Sequence, residues 1–254
     1  MQRQRVRKAM ILVSFLLFPV VLNYLSPALI IMGASEGLVS GSFLFFALLF
    51  AGSLFLGRAF CGWVCPAAGL QEACFAARDR RVKGGDWIKY LIWVPWLATI
   101  ALAAMGAGGF KRIAPLYLTE KGISVVDPQN YVIYYFVLAL VATLALAVGK
   151  RSFCHHVCWM APFMIAGRKL RNLLGWPALG LRAQQDNCKK CALCTRECPM
   201  SLDVQGMVAA GRMERAECIL CGSCVDACKN GAICYTWRAG RGTAPGAPGR
   251  RIAG

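Results

Sequence analysis

The chain has 254 residues, 57% of them hydrophobic, with 29 Lys and Arg against 12 Asp and Glu and a formal net charge of +17. That apolar share and a mean hydropathy of +0.51 lie above the roughly 45–50% of soluble domains and argue against a purely soluble protein. The basic residues flank apolar runs and form no basic–aromatic patch or nucleic-acid motif, which argues against a nucleic-acid binder.

Between Lys8 and Arg58 there is no Lys or Arg, and Glu36 is the only acid. That stretch holds two membrane helices of about 20 residues, and two more apolar runs follow. The expected spans are Met10–Ile31, Gly41–Gly57, Trp87–Ala107 and Tyr131–Val148. Pro19 should kink the first span, and Pro27 should end it early. Ser26 to Ser40 reads as a loop or re-entrant turn at the outer face. With four spans and a cytoplasmic N-terminus, only Lys111, Arg112 and Lys121 of the 29 basic residues fall outside, as the positive-inside rule requires. A cleaved signal peptide, with Gly33–Ser35 as the small residues, would invert everything that follows. The expectation is a multi-pass inner (cytoplasmic) membrane protein with both termini in the cytoplasm.

A duplication sits at the membrane edge. Arg58, Phe60, Cys61, Val64 and Cys65 recur 93 residues later (151 − 58) as Arg151, Phe153, Cys154, Val157 and Cys158. Each copy follows the second helix of a pair, so the two should face each other across an internal two-helix repeat. On a helix, cysteines four apart lie on one face. Four such thiols could hold a third metal or iron–sulfur centre or act as redox dithiols. The plainer alternative is packed thiols. His155 and His156 are the only histidines. They read either as a ligand or proton acceptor for quinol, or as interfacial anchors. Cys74 and Cys234 read as structural.

Cys154 to Leu174 reads as an interfacial amphipathic helix, with Arg168, Lys169 and Arg171 meeting anionic headgroups. Residues 1–174 then form the membrane domain, 175–187 a linker and 188–237 a small α+β module. Val204–Ala216 reads as a short inserted helix, and 238–254 as a disordered basic tail.

In that module Cys188, Cys191, Cys194 and Cys198 are spaced C-x2-C-x2-C-x3-C, with Pro199 following, and Cys218, Cys221, Cys224 and Cys228 repeat the spacing. This run holds [4Fe-4S] cubanes in bacterial ferredoxins, and its fourth cysteine ligates the other cluster. Cys188, Cys191, Cys194 and Cys228 are therefore expected to hold one cluster, and Cys218, Cys221, Cys224 and Cys198 the second. Lys229 stands where the second run would carry its proline. Zinc prefers separated C-x2-C pairs, often with histidine, and fits this spacing poorly. Reduced thiolates suit a reducing compartment, so the module should face the cytoplasm.

The motif at Arg58–Pro66, its second copy at Arg151–Cys158 and the two ferredoxin runs together make the chain resemble the NapH-type membrane ferredoxins, with the NosR-like and CcoG (FixG/RdxA)-like proteins as relatives. The resemblance covers about Met10 to Cys234. It implies an electron conduit between the quinone pool or a membrane donor and a partner oxidoreductase. In the CcoG-like branch it implies copper reduction. The chain departs from the pattern in lacking a proline after Cys158 and in carrying no appended flavin or periplasmic domain. The fold expected is an α-helical integral membrane protein of about four transmembrane helices with a 2[4Fe-4S] ferredoxin-like module. Its function would be that of an electron-transfer subunit rather than a stand-alone enzyme. Its partners would be the bilayer, redox proteins and possible quinone, with no nucleic acid. The alternatives are a thiol-dependent copper reductase and a membrane anchor or assembly factor whose clusters are structural.

Overall fold

The computed structural model describes residues 2–239 and 250–251. The chain begins with α1 (Gln2–Leu16). Pro19, which brings no amide donor, cannot prolong this helix and instead enters the first turn of a separate α2 (Phe18–Val21). A 3-10 turn at Asn23–Leu25 follows. Pro27 does not end a helix but starts one, α3 (Pro27–Ser35), where its fixed φ suits the first position. The span expected over Met10–Ile31 is thus broken into pieces, and Ser26 to Ser40 is largely helical rather than loop.

The direction of these pieces follows from their partners. Arg3 pairs with Asp226 near the C-terminus, with Nη2 2.5 Å from the carboxylate. Asn23 lies at the opposite end, donating from Nδ2 to the Leu118 carbonyl at 2.5 Å. The α1–α2 stretch therefore crosses from the cysteine-rich module to the loop beyond the next helices. From there α3 lies along the far half of a long helix, Ile88–Gly106. Its Pro27 carbonyl accepts from Trp96 Nε1 at 3.1 Å, and the Gly37 carbonyl accepts from the Lys111 amide at 2.7 Å. A short strand β1 (Leu38–Ser40) then pairs in parallel with β2 (Arg112–Ala114).

α4 (Gly41–Leu56) returns, capped by the Ser40 side chain. Its 16 residues rise about 24 Å at 1.5 Å per residue, short of a hydrocarbon layer of about 30 Å. Two short helices, α5 (Ala59–Trp63) and α6 (Pro66–Ala73), carry the first cysteine pair. α7 (Ile88–Gly106) and α8 (Pro128–Ala147) are the two helices, among the described residues, long and apolar enough to cross a membrane. Their faces point outward. Only Lys89 of α7 and Val141 and Ala145 of α8 are buried, while Leu102, Val132 and Phe136 are about two-thirds exposed. Burying a large apolar side chain is worth about 1.5–3 kcal/mol, so such faces are costly in water.

α9 (Ser152–His156) and α10 (Ala161–Leu174) repeat the α5–α6 arrangement. α10 packs closely on α4. A Cβ at Gly167 would strike Ser53 Oγ and approach the Phe50 carbonyl at 2.8 Å. Phe163 of α10 meets Phe46 and Trp93 edge-on at 5.4 and 5.3 Å between ring centres. α10 is amphipathic, but Arg168 and Arg171 are buried rather than offered to headgroups. Arg168 Nε donates to Glu214 at 2.5 Å and its Nη1 to the Cys218 carbonyl at 3.1 Å. The charged side of the helix thus holds the module, because Glu214 gives it a closer anion than a lipid would.

The module opens earlier than its cysteines suggest. The expected linker 175–187 contains β3 (Pro177–Ala183), which pairs antiparallel with β4 (Ile233–Ala239) over its full length. Between them lie α11 (Leu193–Arg196) and α13 (Ser223–Ala227), which carry Cys194 and Cys224 of the two runs, and α12 (Val204–Ala209), which lies between the runs. Of the expected basic tail, residues 240–249 and 252–254 lie outside the described residues. Arg250–Arg251 forms β5 against Thr236 and Trp237.

Candidate iron–sulfur site

The eight module cysteines divide between two cavities. One is lined by Cys188, Cys191, Cys194 and Cys228. The other is lined by Cys198, Cys218, Cys221 and Cys224. Backbone residues with positive φ stand just before α11 and α13: Lys190 (55°), Ala192 (58°), Leu220 (51°) and Gly222 (76°). These left-handed turns curl the chain around each cavity, a conformation non-glycine residues adopt only under constraint. Glycine suits position 222, where φ is positive and a Cβ would come within 2.5 Å of the Tyr235 hydroxyl. The second cavity is the more enclosed, with Cys198, Cys221 and Cys224 at 7–8% exposure. Burial pushes the Cys198 thiol up to about 12, and neighbouring Cys221 adds to it.

The duplicated cysteines meet in one buried cluster. Cys61, Cys65, Cys154 and Cys158 are each 3% exposed and share the core with Phe153 and Met164. The two copies match in detail. Cys65 N–H donates to the Phe60 carbonyl at 3.0 Å, and Cys158 N–H to the Phe153 carbonyl at 2.9 Å. Neither pair lies on one continuous helix as expected. Cys61 sits in α5 and Cys65 caps α6; Cys154 sits in α9 and Cys158 lies beyond its end. The breaks arise where Pro66 and Pro162 enter the following helices. Residues again 93 apart (164 − 71) close the arrangement reciprocally. Gln71 Nε2 donates to Cys154 Sγ at 3.3 Å, and Met164 Sδ lies 3.9 Å from Cys61 Sγ.

Buried arginines flank the four thiols. Arg151 is fully used: Nη1 donates to the Cys61 carbonyl at 2.6 Å and the fork grips Glu72. Arg7 grips the same carboxylate through two bonds of 2.8 Å. Burial pushes the Glu72 carboxyl up, but Arg151 and Arg7 outweigh it and hold it at about 2. Arg58 is different. Its Nη1 meets Glu217 at 2.6 Å, while Nε and Nη2 are buried without a partner. Its charge faces Cys61 and Cys154. Burial pushes the Cys61 thiol up, and Arg58 pulls it down. Burial pushes Cys158 up to about 12, with Cys154 adding to it. Arg58 reaches toward the Cys61 sulfur, and a neutral thiol is only a weak acceptor for such buried donors. Four thiolates around an iron–sulfide core form an anionic group whose sulfurs accept such donors, so the residues fit that group.

The thiol spacing separates the metals. Four sulfurs 2.3 Å from one zinc lie about 3.8 Å apart. Among the described residues the only three-ligand group within 4.8 Å is Asp86, His155 and Glu217, so no three thiols approach that closely. A cubane holds its thiolates farther apart, because iron and sulfide stand between them.

The histidines part ways. His156 Nδ1 lies 2.8 Å from the Ser152 carbonyl at the half-buried edge. His155 is 4% exposed, its Nδ1 2.5 Å from Asp86 and its Nε2 without a partner. Glu217 beside it already carries Arg58 and Lys89, the latter at 2.7 Å. Those two cations balance the two carboxylates, so the group reads as a neutral charge network rather than a cation site. Asp86, Glu72 and Glu217 are missing from the sequence-level candidates. Lone carboxylates far apart in the chain give no spacing signal.

The module touches the duplicated cysteines directly. Trp63 Nε1 donates to the Leu220 carbonyl at 3.1 Å. A Cβ on Gly62, between Cys61 and Cys65, would press into the Ile219 carbonyl and approach Cys221 at 3.4 Å. Cys221 lines the second module cavity, so that cavity abuts the four buried thiols.

Comparison with known proteins identifies the family. A family model for a 4Fe-4S binding domain matches residues 40–83 and 129–177, which carry the duplicated cysteines. One for a 4Fe-4S dicluster domain matches residues 187–233. The Methanocaldococcus jannaschii protein MJ0749 is 27% identical over 71% of this chain and 65% of its own length. The methylamine utilization ferredoxin-type protein MauN of Methylorubrum extorquens is 29% identical over 56% of this chain and 47% of its own. The regulatory protein NosR of Pseudomonas aeruginosa is 30% identical over 72% of this chain but only 25% of NosR. The chain thus spans less than two thirds of each. No solved structure matches. With both cysteine-bearing halves matched, the chain belongs to the NosR/NapH-like family of 4Fe-4S ferredoxin-type proteins.

Proposed function

We propose that this protein conducts electrons along three iron–sulfur centres between a membrane donor, the quinone pool included, and a soluble redox partner. Bound cubanes supply one-electron redox chemistry. Cys188, Cys191, Cys194 and Cys228 would hold the first, Cys198, Cys218, Cys221 and Cys224 the second, and Cys61, Cys65, Cys154 and Cys158 the third. The observation that carries the reading is the contiguity of the sites: Gly62 lies against Ile219–Cys221, between the buried thiols and the second cavity. The chain's own part is to pack these sites together, exclude water from the inner two and neutralise the innermost with Arg58 and Arg151.

The outward apolar faces of α7 and α8 favour a bilayer, with the α1–α3 pieces and α4 completing four crossings and the module on the cytoplasmic side. A copper reductase is the alternative. It would use soft thiolates on one ion, and among the described residues no three thiols lie within 4.8 Å, which leaves only a site of two sulfurs for it. The test is anaerobic purification with iron, sulfide and copper analysis, followed by reduction with a quinol. Three cubanes correspond to about twelve irons and twelve sulfides per chain, two to about eight. Stoichiometric copper with eight irons would favour the alternative, and clusters that no quinol reduces would remove the quinone donor.

A further inference from the structure

Most cations around the buried sites are already spent on carboxylates. Arg3 pairs with Asp226, Arg7 and Arg151 with Glu72, Arg58 and Lys89 with Glu217, Arg168 with Glu214 and Lys150 with Asp79. The mouth of the first module cavity is the opposite case. It is lined by Lys189, Arg196 and Lys229 beside the four cysteines, with no carboxylate in the lining. Lys190 follows on the same turn, and all four cations are exposed. Arg196 has only Glu197, at 3.8 Å. Lys189, Lys190 and Lys229 meet no carboxylate among the described residues.

The same mouth is where a cysteine of the runs reaches solvent. Cys191 is exposed, whereas the four membrane-edge thiols and Cys198, Cys221 and Cys224 are buried. The rest of the module is occupied by its own chain: Trp63 and Arg168 hold one side, and Arg3 and Gln4 of α1 hold Asp226.

Resting on the reading of that cavity as a cluster site, we propose that the Lys189–Lys190–Arg196–Lys229 rim is the docking surface for a soluble electron carrier with an acidic face around its own redox centre. Charges of one sign around a concave site raise encounter rates with opposite charge, and salt weakens the effect. The exchange is a single electron, lost by one centre and gained by the other. No bond is made and no proton carried. Local compensation of the cluster's own charge is the competing role for these lysines. It would shift a potential without distinguishing acidic from basic carriers.

The test uses the full chain, loaded with clusters and held in neutral-lipid nanodiscs. Bimolecular rates are measured with an acidic ferredoxin or flavodoxin, with a basic carrier of similar potential, and with a zwitterionic viologen. K189Q/K190Q/K229Q is compared with the parent, and iron, sulfide and EPR report cluster content separately. Docking at the rim predicts that the acidic carrier's rate falls at least about tenfold between low and high salt, and about tenfold in the variant at low salt. The viologen rate stays unchanged. Equal rates in parent and variant, or a faster basic carrier, would overturn the proposal with the clusters intact. A second arm measures binding to anionic vesicles. If the variant loses that binding and keeps its carrier rate, the rim is a lipid contact and the proposal fails. A parent that lacks its first cubane overturns the cluster reading itself, and the docking surface with it.

Discussion

Two buried charges show what single residues do here. Glu72 stands between Arg7 and Arg151. Replacing it with Gln leaves two guanidinium groups buried without their anion, a change that costs about 3–5 kcal/mol. Chemical denaturation of Glu72→Gln, followed by loss of cluster absorbance, should show that drop. The pH dependence has a definite sign. The folded carboxyl sits at about 2, below an unfolded value of about 4.3, so its stabilising contribution is complete above that unfolded value and disappears as pH falls toward 2. Glu214, also held at about 2 once Arg168 outweighs its burial, acts in the same window. Both should make the protein lose its module packing in acid below about pH 4, read by the accessibility of Cys218. Arg58 predicts a potential. A cation beside an anionic centre favours the reduced form, so, with a centre held by Cys61, Cys65, Cys154 and Cys158 as proposed, Arg58→Gln should lower its midpoint and leave that of the proposed exposed cluster nearly unmoved. Arg58→Lys, which keeps the charge, should recover much of it. Redox titration by EPR reads both, and equal midpoints in all three proteins would remove Arg58 from that role.

At the level of elements, the cysteine runs cross between helices. Cys228 follows α13 yet lines the cavity of the first run, and Cys198 follows α11 yet lines the cavity of the second. Cys228→Ser is therefore expected to weaken the exposed cluster, whereas Cys198→Ser should weaken the enclosed one. The two EPR signals separate them, and loss of the same signal in both would refute crossed ligation. Gly62 is the second element-level constraint, since α5 meets the module with no room for a side chain. Gly62→Ala should cost about 1–3 kcal/mol as overpacking. It should also slow electron movement between the membrane-edge centre and the module more than it changes cluster content. α10 teaches a related lesson. Its helical amphipathicity is plain in the residues, but whether Arg168 meets lipid or Glu214 depends on a segment more than forty positions away, which no local pattern reports.

For the whole molecule, α1 ties orientation together. Arg3 and Gln4 hold Asp226 of the module, so the N-terminus and the cysteine runs share one side of the structure. A cysteine introduced near residue 3 and one introduced at Lys190 should be labelled from the same side of sealed vesicles. Labelling from opposite sides would contradict the arrangement. The long outward apolar faces of α7 and α8 also predict that detergent or lipid is needed to keep the chain dispersed.

The amino-acid sequence alone carried the 4Fe-4S family and the two long apolar helices, because both are local signals: cysteine spacing repeats within a few residues, and a long run of apolar residues declares itself. It also held the 93-residue duplication, since self-similarity survives translation along the chain. Tertiary structure decided the rest. It broke the expected first span at Pro19 and Pro27, turned the expected linker into β3, and withdrew Arg168 and Arg171 from the lipid side. It brought Glu72, Asp86 and Glu217 to the buried arginines and His155. The physical reason is range. Ion pairs, strand partners and close helix crossings join residues with no spacing relation, and a buried charge selects whichever opposite charge the fold delivers to it.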